Sequence, residues 1–418
     1  MIKPPPLSND CFALPQGVAW TPVDQALAAL RSGLHPIVET QHLPLLQSAG
    51  LILAKDAVAE RANPPHANSA VDGYGFLHAA TGQGPQVLPL NKGRAAAGQA
   101  YCGAVSPGHA IRVLTGAMLP NGVDTVVLEE DCTITDAAIA FHGPLKQGSN
   151  ARAMGEDVMI GDRLVAAGQR LRPPELALLA SAGISTVSVY RRLRVAILST
   201  GDELCDPGET ADPGQIYDAN RPMLASLLKS WGHEVVDLGR IPDDPDQLRT
   251  ALDTASCADA ILTSGGASAG DEDHVSALLK AEGALQSWRI ALKPGRPLAL
   301  ALWRQTPVFG LPGNPVAAFV CALIFARPAL SKLSGAGWAA PLRMQAPAAF
   351  SKTKKSGRHE YLRARLTSDG AVEIFKSEGS GRISGLSWAD GLVELGSEAE
   401  VISPGTMVTY LPYVGFGL

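Results

Sequence analysis

Apolar runs and amphipathic segments alternate regularly between residues 194 and 333. The apolar runs predict strands, and the segments between several of them predict helices. The predicted strands are 195–198, 234–238, 260–262, 290–292 and 308–310, and the predicted helices are 222–231, 245–255, 275–282 and 315–330. Alternation of this kind predicts a doubly wound, mostly parallel α/β domain.

Three of the predicted strands run into turns that contain glycine. The turns are STGDE at 199–203, TSGGASAG at 263–270 and GLPGNP at 310–315. A Gly-Gly turn after a strand is common without any function. However, the carboxyl ends of parallel strands share one edge, where α/β folds bind ligands, and glycine turns ahead of helices bind anions. Three such turns on one edge therefore favour a phosphate-binding site.

The central turn excludes the two familiar nucleotide-binding motifs. Ala267 stands where a dinucleotide fingerprint needs its second glycine, and Asp271 stands where a Walker motif needs its lysine. Any phosphate bound here must be held in another way.

Charged residues lie close to these turns. Arg289, Lys293 and Arg296 form a basic stretch around a Pro-Gly turn. Surface ion pairs are the alternative, but the apolar strand residues around the stretch favour an oxyanion site. Four acids, Asp202, Glu203, Asp271 and Asp273, follow strand ends, and carboxylates beside bound phosphates are typical Mg²⁺ ligands. Zinc fits less well, because no His or Cys group has ligand spacing.

Composition limits the remaining classes. A chain of 418 residues predicts several domains, of which residues 61–150 and 335–418 have the short runs and turns of β structure. The net charge of -5 gives no reason to expect nucleic acid or a membrane as partner. Six scattered cysteines without a C-x-x-C pair fit a reducing cytosol, so we expect a cytoplasmic protein. The apolar run 316–326 is too short to cross a bilayer and predicts a buried helix.

Taken together, the motifs resemble the molybdopterin molybdenumtransferase family, which includes the E domain of gephyrin. The matching stretches are SAVDGY at 69–74, TGA at 115–117, GED at 155–157, STGDEL at 199–204, TSGG at 263–266 with the acids up to Asp273, KPGRP at 293–297 and LPGNP at 311–315. They occur in the order of the family, and the resemblance extends from about residue 18 to the end of the chain.

The resemblance implies four regions. These are an elongated discontinuous domain (residues 18–60 and 155–190), a β-rich insert (61–154), the α/β catalytic domain (191–334) and a C-terminal β-barrel (335–418). It also implies a homodimer whose active site joins the catalytic domain of one subunit to the insert of the other. The implied reaction inserts molybdate into adenylylated molybdopterin, with Mg²⁺ (Zn²⁺ being possible) as the cofactor, and releases AMP. Further implied partners are the molybdopterin adenylyltransferase and molybdoenzyme chaperones.

Family roles are implied only where residues match. The implied catalytic residues are Asp72, Thr115, Asp157, Glu203, Asp243 and Asp273, and the implied metal ligands are Asp243, Asp271 and Asp273. Molybdate would be bound by Lys293, Arg296, Pro297, Ser384 and either Arg358 or Arg363. Molybdopterin and AMP would be bound by Thr200, Gly201, Ser264, Gly265, Gly266, Ser268, Pro312, Gly313 and Asn314. The chain departs from the family at Val71, where Met is usual, and at Arg289 and Arg296, where Lys is common.

Two other functions are compatible with parts of this pattern. A molybdopterin adenylyltransferase shares the α/β domain and its Gly-Gly turn, but the additional regions and Asp72 disfavour it. A non-catalytic scaffold like gephyrin would keep the fold for protein contacts, but the retained acids and cations disfavour that function. Consumption of ATP would identify the first alternative, and release of AMP would identify the transferase.

Overall fold

The computed structural model describes residues 20–266, 274–295 and 297–418. The chain forms two compact units. The N-terminal unit consists of residues 42–189, and the C-terminal unit consists of residues 190–418 together with the described residues before 42. The unit boundaries fall inside the strands β1 (Thr40–Pro44) and β13 (Thr186–Tyr190). Helix α1 (Val23–Gly33) belongs to the C-terminal unit, where Val23, Ala26 and Leu30 are buried.

The N-terminal unit is mainly β structure, as the frequent turns predict. Its remaining strands are β2 (Ile52–Leu53), β3 (Ala57–Val58), β4 (Asn68–Ser69), β5 (Gly73–Phe76), β6 (Gly84–Ala95), β7 (Ala110–Val113), β8 (Thr125–Leu128), β9 (Thr133–Ile134), β10 (Ala138–Gly143), β11 (Ala151–Arg152) and β12 (Arg163–Val165), and its α-helix is α2 (Pro173–Ser181). The largest described sheet has the order β8-β5-β7-β6-β10-β9, and a second has the order β1-β13-β2. Apolar side chains of β5, β7, β8 and β10 contribute to two hydrophobic cores of this unit.

The C-terminal unit is built around a mixed sheet with the order β17-β14-β18-β22-β21-β19. The sheet and its helices consist of β14 (Arg194–Thr200), α3 (Asn220–Ser230), β17 (Glu234–Ile241), α4 (Pro245–Ala255), β18 (Ala260–Ser264), α5 (His274–Ala281), β19 (Ala284–Arg289), β21 (Pro297–Trp303) and β22 (Thr306–Leu311). Between β14 and α3, the short strands β15 (Leu204–Cys205) and β16 (Ile216–Tyr217) form a separate pair. The first four strands in the order pair in parallel, and β21 and β19 pair antiparallel. The prediction of a mostly parallel α/β sheet is confirmed.

Helices cover both faces of this sheet, which explains the continuous apolar runs of its central strands. Alternate residues of β14 face opposite cores: Val195 and Ile197 pack with α3, and Ala196 and Leu198 pack with α4. Helix α4 begins after Asp244, whose carboxylate accepts the Gln247 N–H at 2.8 Å. Asp244 therefore caps α4. With helices on both faces of the sheet, the fold is doubly wound.

The long apolar helix spans Pro315–Leu333 and belongs to the same core. It consists of α6 (Pro315–Cys321), a π-helical turn (Ala322–Ala326) and α7 (Arg327–Leu333). Among the described helices, it alone is long and apolar enough to cross a membrane, yet 83% of its most apolar window is buried inside the protein. This burial confirms the prediction of a buried core helix.

One predicted strand is wrong. The sequence predicts a single strand at 290–292, whereas the structure has β19 ending at Arg289 and a separate strand, β20 (Leu292–Lys293), in another sheet. The chain therefore changes sheets at residues 290–291. Periodicity reports alternation of side chains but cannot distinguish one continuous strand from two short strands in different sheets.

The C-terminal segment forms the sheet that receives β20. Its strands are β23 (Met344–Pro347), β24 (Lys352–Lys354), β25 (His359–Leu366), β26 (Val372–Ile374), β27 (Gly391–Leu395), β28 (Glu400–Ile402) and β29 (Met407–Pro412), and its helix is α8 (Ser384–Trp388). The described sheet has the order β20-β25-β27-β29-β23, with β26 beside β25 and a separate β24-β28 ribbon. Leu392, Leu411 and Phe416 extend the core of the α/β domain, so the two parts pack together.

Candidate active site

The three glycine turns meet at the carboxyl edge of the α/β sheet. They follow β14, β18 and β22, which are neighbours in the sheet. Gly265 has φ +92°, and a Cβ there would lie 2.5 Å from the carbonyl oxygen of Thr200. A Cβ on Gly313 would lie 3.6 Å from the Cα of Gly265. The turns are thus in contact, as the sequence predicts.

Several buried polar atoms at this edge have no hydrogen-bond partner among the described residues. They are Ser199 Oγ, Thr200 Oγ1, Thr263 Oγ1 and Asn220 Oδ1. Thr200 Oγ1 lies 3.0 Å from the position of a Cβ on either Gly265 or Gly266, so it faces the central turn. Because buried polar groups are almost always paired, this edge suits a polar ligand.

Asn220 connects two of the turns, and the sequence analysis missed it. Its side-chain amide donates hydrogen bonds to Ser264 Oγ at 2.7 Å and to the Gly313 carbonyl at 2.6 Å. The predicted helix begins at residue 222, whereas α3 begins at Asn220, so the residue lay outside the predicted element. Its signal was weak, because an Asn near a helix start is ordinarily only a cap.

Two carboxylates lie together beside the first turn. The Asp202 N–H donates to Asp243 Oδ2 at 3.2 Å, and the Asp243 N–H donates to Asp202 Oδ1 at 3.1 Å. The Glu203 carboxylate packs over Gly201, where any added Cβ would collide with it. Asp243 and Glu203 therefore each border the first turn, through Asp202 and Gly201 respectively. Mg²⁺ typically takes one or two carboxylates plus phosphate oxygens, so the pair fits part of such a site.

Within the ranges that the structure describes, there is no group of three or more His, Cys, Asp or Glu side chains arranged to hold a metal ion. Asp271 and Asp273, which the sequence analysis names as metal ligands with Asp243, lie outside those ranges, as do Ser268 and Arg296. The three-carboxylate metal site therefore stays a prediction.

Lys293 takes part in a network of four charged side chains, which we call the lysine–glutamate network: Lys293, Lys352, Glu360 and Glu378. Lys293 Nζ lies 2.6 Å from Glu378 Oε2 and 3.5 Å from Glu360 Oε1. Lys352 Nζ lies 3.2 Å from Glu360 Oε2 and also forms a short contact with Glu378 Oε1. Each lysine therefore contacts both glutamates.

Contacts within the network shift the pKa values of Lys352 and Glu378. Burial would lower the pKa of Lys352, but the hydrogen bond to Glu378 and the charge of Glu360 raise it above the ordinary value. Burial would raise the pKa of Glu378, but hydrogen bonds from Lys293 and Lys352 hold it below the ordinary value. Lys352 and Glu378 are therefore both charged at neutral pH and form an ion pair.

Arg363 has a different environment from the one expected of an oxyanion ligand. It is 4% exposed, and its guanidinium donates to the carbonyls of Arg382 at 2.5 Å and Gly379 at 3.2 Å, and also to that of Ser377. Its guanidinium carbon lies 4.9 Å from the centroid of the Phe375 ring. These contacts hold the segment between β26 and α8. The alternative arginine, Arg358, is half-buried.

The basic segment is adjacent to the third glycine turn. A Cβ on Gly295 would lie 3.5 Å from Pro312 Cγ and 3.1 Å from Cys321 Sγ. The N–H of Val316, in the first turn of α6, donates to the Ser380 carbonyl at 3.1 Å. Pro297 begins β21, Asn314 precedes α6, and the exposed Ser384 begins α8. The predicted oxyanion and pterin regions are thus contiguous within the C-terminal unit.

Other predicted site residues lie in the N-terminal unit. The backbone N–H and the hydroxyl of Thr115 both donate to Asp72 Oδ1 at 2.7 Å. These hydrogen bonds, the backbone one first, hold the pKa of the Asp72 carboxyl below its ordinary value. Asp157 is exposed, and its Oδ2 accepts the Asn63 side-chain amide at 3.1 Å. Asp72 and Thr115 are therefore held together by two hydrogen bonds within the N-terminal unit.

Family models match nearly the whole length of the chain. Residues 21–183 match the MoeA N-terminal region (domain I and II), residues 196–332 the probable molybdopterin binding domain, and residues 345–413 the MoeA C-terminal region (domain IV). A protein of Haemophilus influenzae named molybdopterin molybdenumtransferase is 36% identical over 399 residues, which cover 94% of this chain and 98% of the relative. This chain belongs to the molybdopterin molybdenumtransferase (MoeA) family.

Other members of the MoeA family agree with this assignment. Molybdopterin molybdenumtransferase 2 of Mycobacterium tuberculosis is 33% identical over 378 residues, covering 88% of this chain and 93% of the relative. The crystal structure of the molybdopterin biosynthesis MoeA protein from Pyrococcus horikoshii OT3 superimposes with a TM-score of 0.82 at 28% identity, covering 94% of this chain and all of that one. The multidomain α/β fold expected from the sequence is thus confirmed.

MoeA membership does not by itself identify the network around Lys293. Lys352 and Glu378 are absent from the motifs that carry the resemblance, and they lie 59 and 85 positions from Lys293. No local pattern could have found them, since Lys352 lies in β24 and Glu378 lies between β26 and α8, and only the folded chain brings both to Lys293. They are additional candidates for the site.

Proposed function

We propose that this protein inserts the molybdenum of molybdate into adenylylated molybdopterin, releasing AMP and forming the molybdenum cofactor. Membership of the MoeA family over nearly the entire chain carries this proposal. Buried polar atoms at the glycine turns that have no partner among the described residues support it, because a nucleotide-linked pterin offers phosphate and ring polar groups that would pair with them.

The glycine turns would hold the phosphates and the nucleotide. The Gly265 N–H already donates to the Leu311 carbonyl at 3.3 Å, so we assign the anion to the Gly266 N–H. Beside it, Thr200 Oγ1 and Asn220 Oδ1 supply polar atoms that have no partner among the described residues. Asn220 would also keep the second and third turns in register through its two hydrogen bonds. Cleavage of the phosphoanhydride would then depend on positioning and charge stabilisation, without a covalent nucleophile.

The acids would hold a divalent cation. We propose Mg²⁺, held by Asp243 together with Asp271 and Asp273, because hard cations favour carboxylate oxygens and the described pair of acids, Asp202 and Asp243, already fits part of such a site. When bound, the ion would neutralise charge on the phosphate oxygens. Asp202 would orient Asp243 by accepting its backbone N–H.

The oxyanion would lie at the basic segment. We propose Lys293, Arg296 and Pro297 as its first contacts, with Arg358 and Ser384 added from the C-terminal sheet and α8. Arg363 would act indirectly, since its donors are engaged with backbone carbonyls.

Assembly and location are also part of the proposal. We propose a cytoplasmic homodimer in which the Asp72–Thr115 pair of one subunit, with Asp157, completes the site of the other. The division into four regions (18–60 with 155–190, 61–154, 191–334 and 335–418) belongs to the same proposal. The adenylyltransferase would supply the substrate, and molybdoenzyme chaperones would receive the product.

The decisive experiment measures AMP release from adenylylated molybdopterin with molybdate and Mg²⁺. We expect the purified protein to release AMP and Asp243→Asn to lower the rate by about 100-fold or more, because a charge-stabilising group is lost while an oxygen remains to accept the Asp202 N–H. Asp244→Asn is the matched control and should be nearly unchanged, since Asn also caps helices. Consumption of ATP would identify an adenylyltransferase instead. If the protein shows neither activity, the non-catalytic scaffold is the alternative that remains.

A further inference from the structure

Two glutamates in the lysine–glutamate network differ in how firmly they are held. The Glu360 side chain is 10% exposed, and its residue pairs with Leu395 of β27 and with Lys293 of β20 inside the sheet. The Glu378 side chain is 38% exposed and lies between β26 and α8, next to Gly379. Glu360 is therefore fixed by the sheet, whereas Glu378 borders solvent.

The charges of the network explain what the second glutamate does. Two ammonium groups and two carboxylates sum to zero, so the network as it stands has no net attraction for an anion. Without the Glu378 carboxylate, the remaining groups carry one positive charge, with two ammonium groups facing the position that Glu378 leaves. Two cations around one carboxylate are the arrangement that would bind a tetrahedral dianion.

We propose that Glu378 is a displaceable internal ligand: its carboxylate occupies an oxyanion subsite formed by Lys293 and Lys352, and molybdate binds there by displacing it. This inference rests on the proposed function, because it takes Lys293 as a molybdate contact. It adds Lys352 as a second cation of the subsite and Glu378 as the residue that sets its apparent affinity.

The surroundings of Glu378 allow its side chain to move while the backbone stays in place. Arg363 binds the carbonyls on both sides of Glu378, those of Ser377 and Gly379, and the Ser380 carbonyl accepts the Val316 N–H. A pocket of about 20 Å³, lined by Lys293, Arg363, Phe375 and Glu378 among others, lies next to the carboxylate. Displacement therefore requires a rotamer change at one partly exposed side chain and no rearrangement of the segment.

The network is more than a support for the strand pair. Strands β20 and β25 pair through their backbones at Leu292–His359 and Lys293–Glu360, and Glu360 alone provides each lysine with a partner carboxylate. Glu378 adds a second carboxylate to lysines that already have one. Its distinctive effect is to fill the position between them.

Molybdate can bind only the fraction of the protein in which Glu378 leaves the subsite open. The measured affinity is therefore the intrinsic affinity multiplied by that open fraction. If the carboxylate occupies the subsite in nine-tenths of the molecules or more, then removing it should tighten molybdate binding by about tenfold or more. Loss of either lysine should weaken binding, since one of the two cations is gone.

The test is equilibrium dialysis of the purified full-length protein with radioactive molybdate. We expect Glu378→Gln, and also the smaller Glu378→Ser, to lower the Kd about tenfold, while Lys352→Gln and Lys293→Gln raise it about tenfold or more. Glu373→Gln is the matched control, because Glu373 is a neighbouring acid on β26 that pairs with Arg365 outside the network, and its Kd should equal that of the wild type.

The outcomes separate this inference from the function on which it rests. Weaker binding by Lys293→Gln together with unchanged or weaker binding by both folded Glu378 variants would overturn the displacement and leave the oxyanion site intact. An unchanged Kd for Lys293→Gln would remove Lys293 from the oxyanion site and overturn this inference, whereas the proposed function would still be decided by AMP release from adenylylated molybdopterin. If Glu378 serves only stability, its variants should lower the thermal midpoint and leave the Kd unchanged, which also overturns the inference.

Discussion

The close contact between the first two glycine turns predicts that Gly265 cannot carry a side chain. In Gly265→Ala, the residue would keep φ near +92°, which costs about 1–2 kcal/mol for an L-residue. The new Cβ would lie 2.5 Å from the Thr200 carbonyl oxygen. Relieving that overlap in a packed sheet costs typically about 1–3 kcal/mol. The variant should therefore lose about 2–5 kcal/mol of stability in the α/β domain.

Gly313→Ala provides the matched comparison in the neighbouring turn. Its φ does not lie in the left-handed region, and its Cβ would meet the Gly265 Cα at 3.6 Å, an ordinary van der Waals distance. The folded protein should accept this methyl group with little loss of stability. Because Gly313 is exposed at the ligand edge, the methyl group should instead raise the KM for the pterin nucleotide.

Scanning calorimetry of the two variants separates these effects. A loss of 1 kcal/mol shifts the midpoint of a domain of 150–250 residues by about 2–4 °C, so Gly265→Ala should melt about 4–20 °C below the wild type. Gly313→Ala should melt within about 2 °C of the wild type while its KM rises. A Gly265→Ala protein as stable as Gly313→Ala would refute the argument that the first two turns are in close backbone contact.

Two further predictions concern buried groups near the site. Asn220→Ala should destabilise the protein by about 1–3 kcal/mol, because the Gly313 carbonyl loses its buried donor. It should also raise the KM for the pterin nucleotide. Unfolding midpoints measure the first effect, and steady-state kinetics measure the second. Burial raises the pKa of the Cys321 thiol to about 12. A thiol reagent at neutral pH should therefore label the exposed Cys102 at least about 100-fold faster than Cys321, and peptide mapping would measure both rates. Equal labelling rates would show that the α6 core opens readily.

Local patterns allowed much of the α/β domain to be predicted. Helix α4 has the predicted bounds, 245–255, because Asp244 and Pro245 mark its start in the sequence. The three turns were found because glycine, threonine and serine at strand ends have a direct physical meaning at the carboxyl edge of a parallel sheet. These features depend on residues that are close together in the sequence, so one amino-acid sequence is enough to predict them.

Long-range pairings could not be predicted in this way. Nothing near Lys293 in the sequence indicates that its strand leaves the α/β sheet and pairs with β25. The contact of Lys293 with Glu360 depends on that pairing, and Glu378 and Lys352 reach the network from other segments of the chain. The Asp72–Thr115 pair, 43 positions apart, was found through the family resemblance and not from spacing. Arg363 matched the expected pattern, yet tertiary contacts engage it with backbone carbonyls.

The first turn of α6 connects the two halves of the proposed chemistry. Gly313 and Asn314, ahead of this turn, border the nucleotide edge, and the Val316 N–H holds the Ser380 carbonyl, two residues after Glu378. The same helix packs against Gly295, two residues after Lys293. A ligand bound at the glycine turns and an oxyanion bound at Lys293 would therefore both lie next to the first turn of α6. Binding of the pterin nucleotide should consequently alter the affinity for molybdate, and Glu378 lies where that coupling would act.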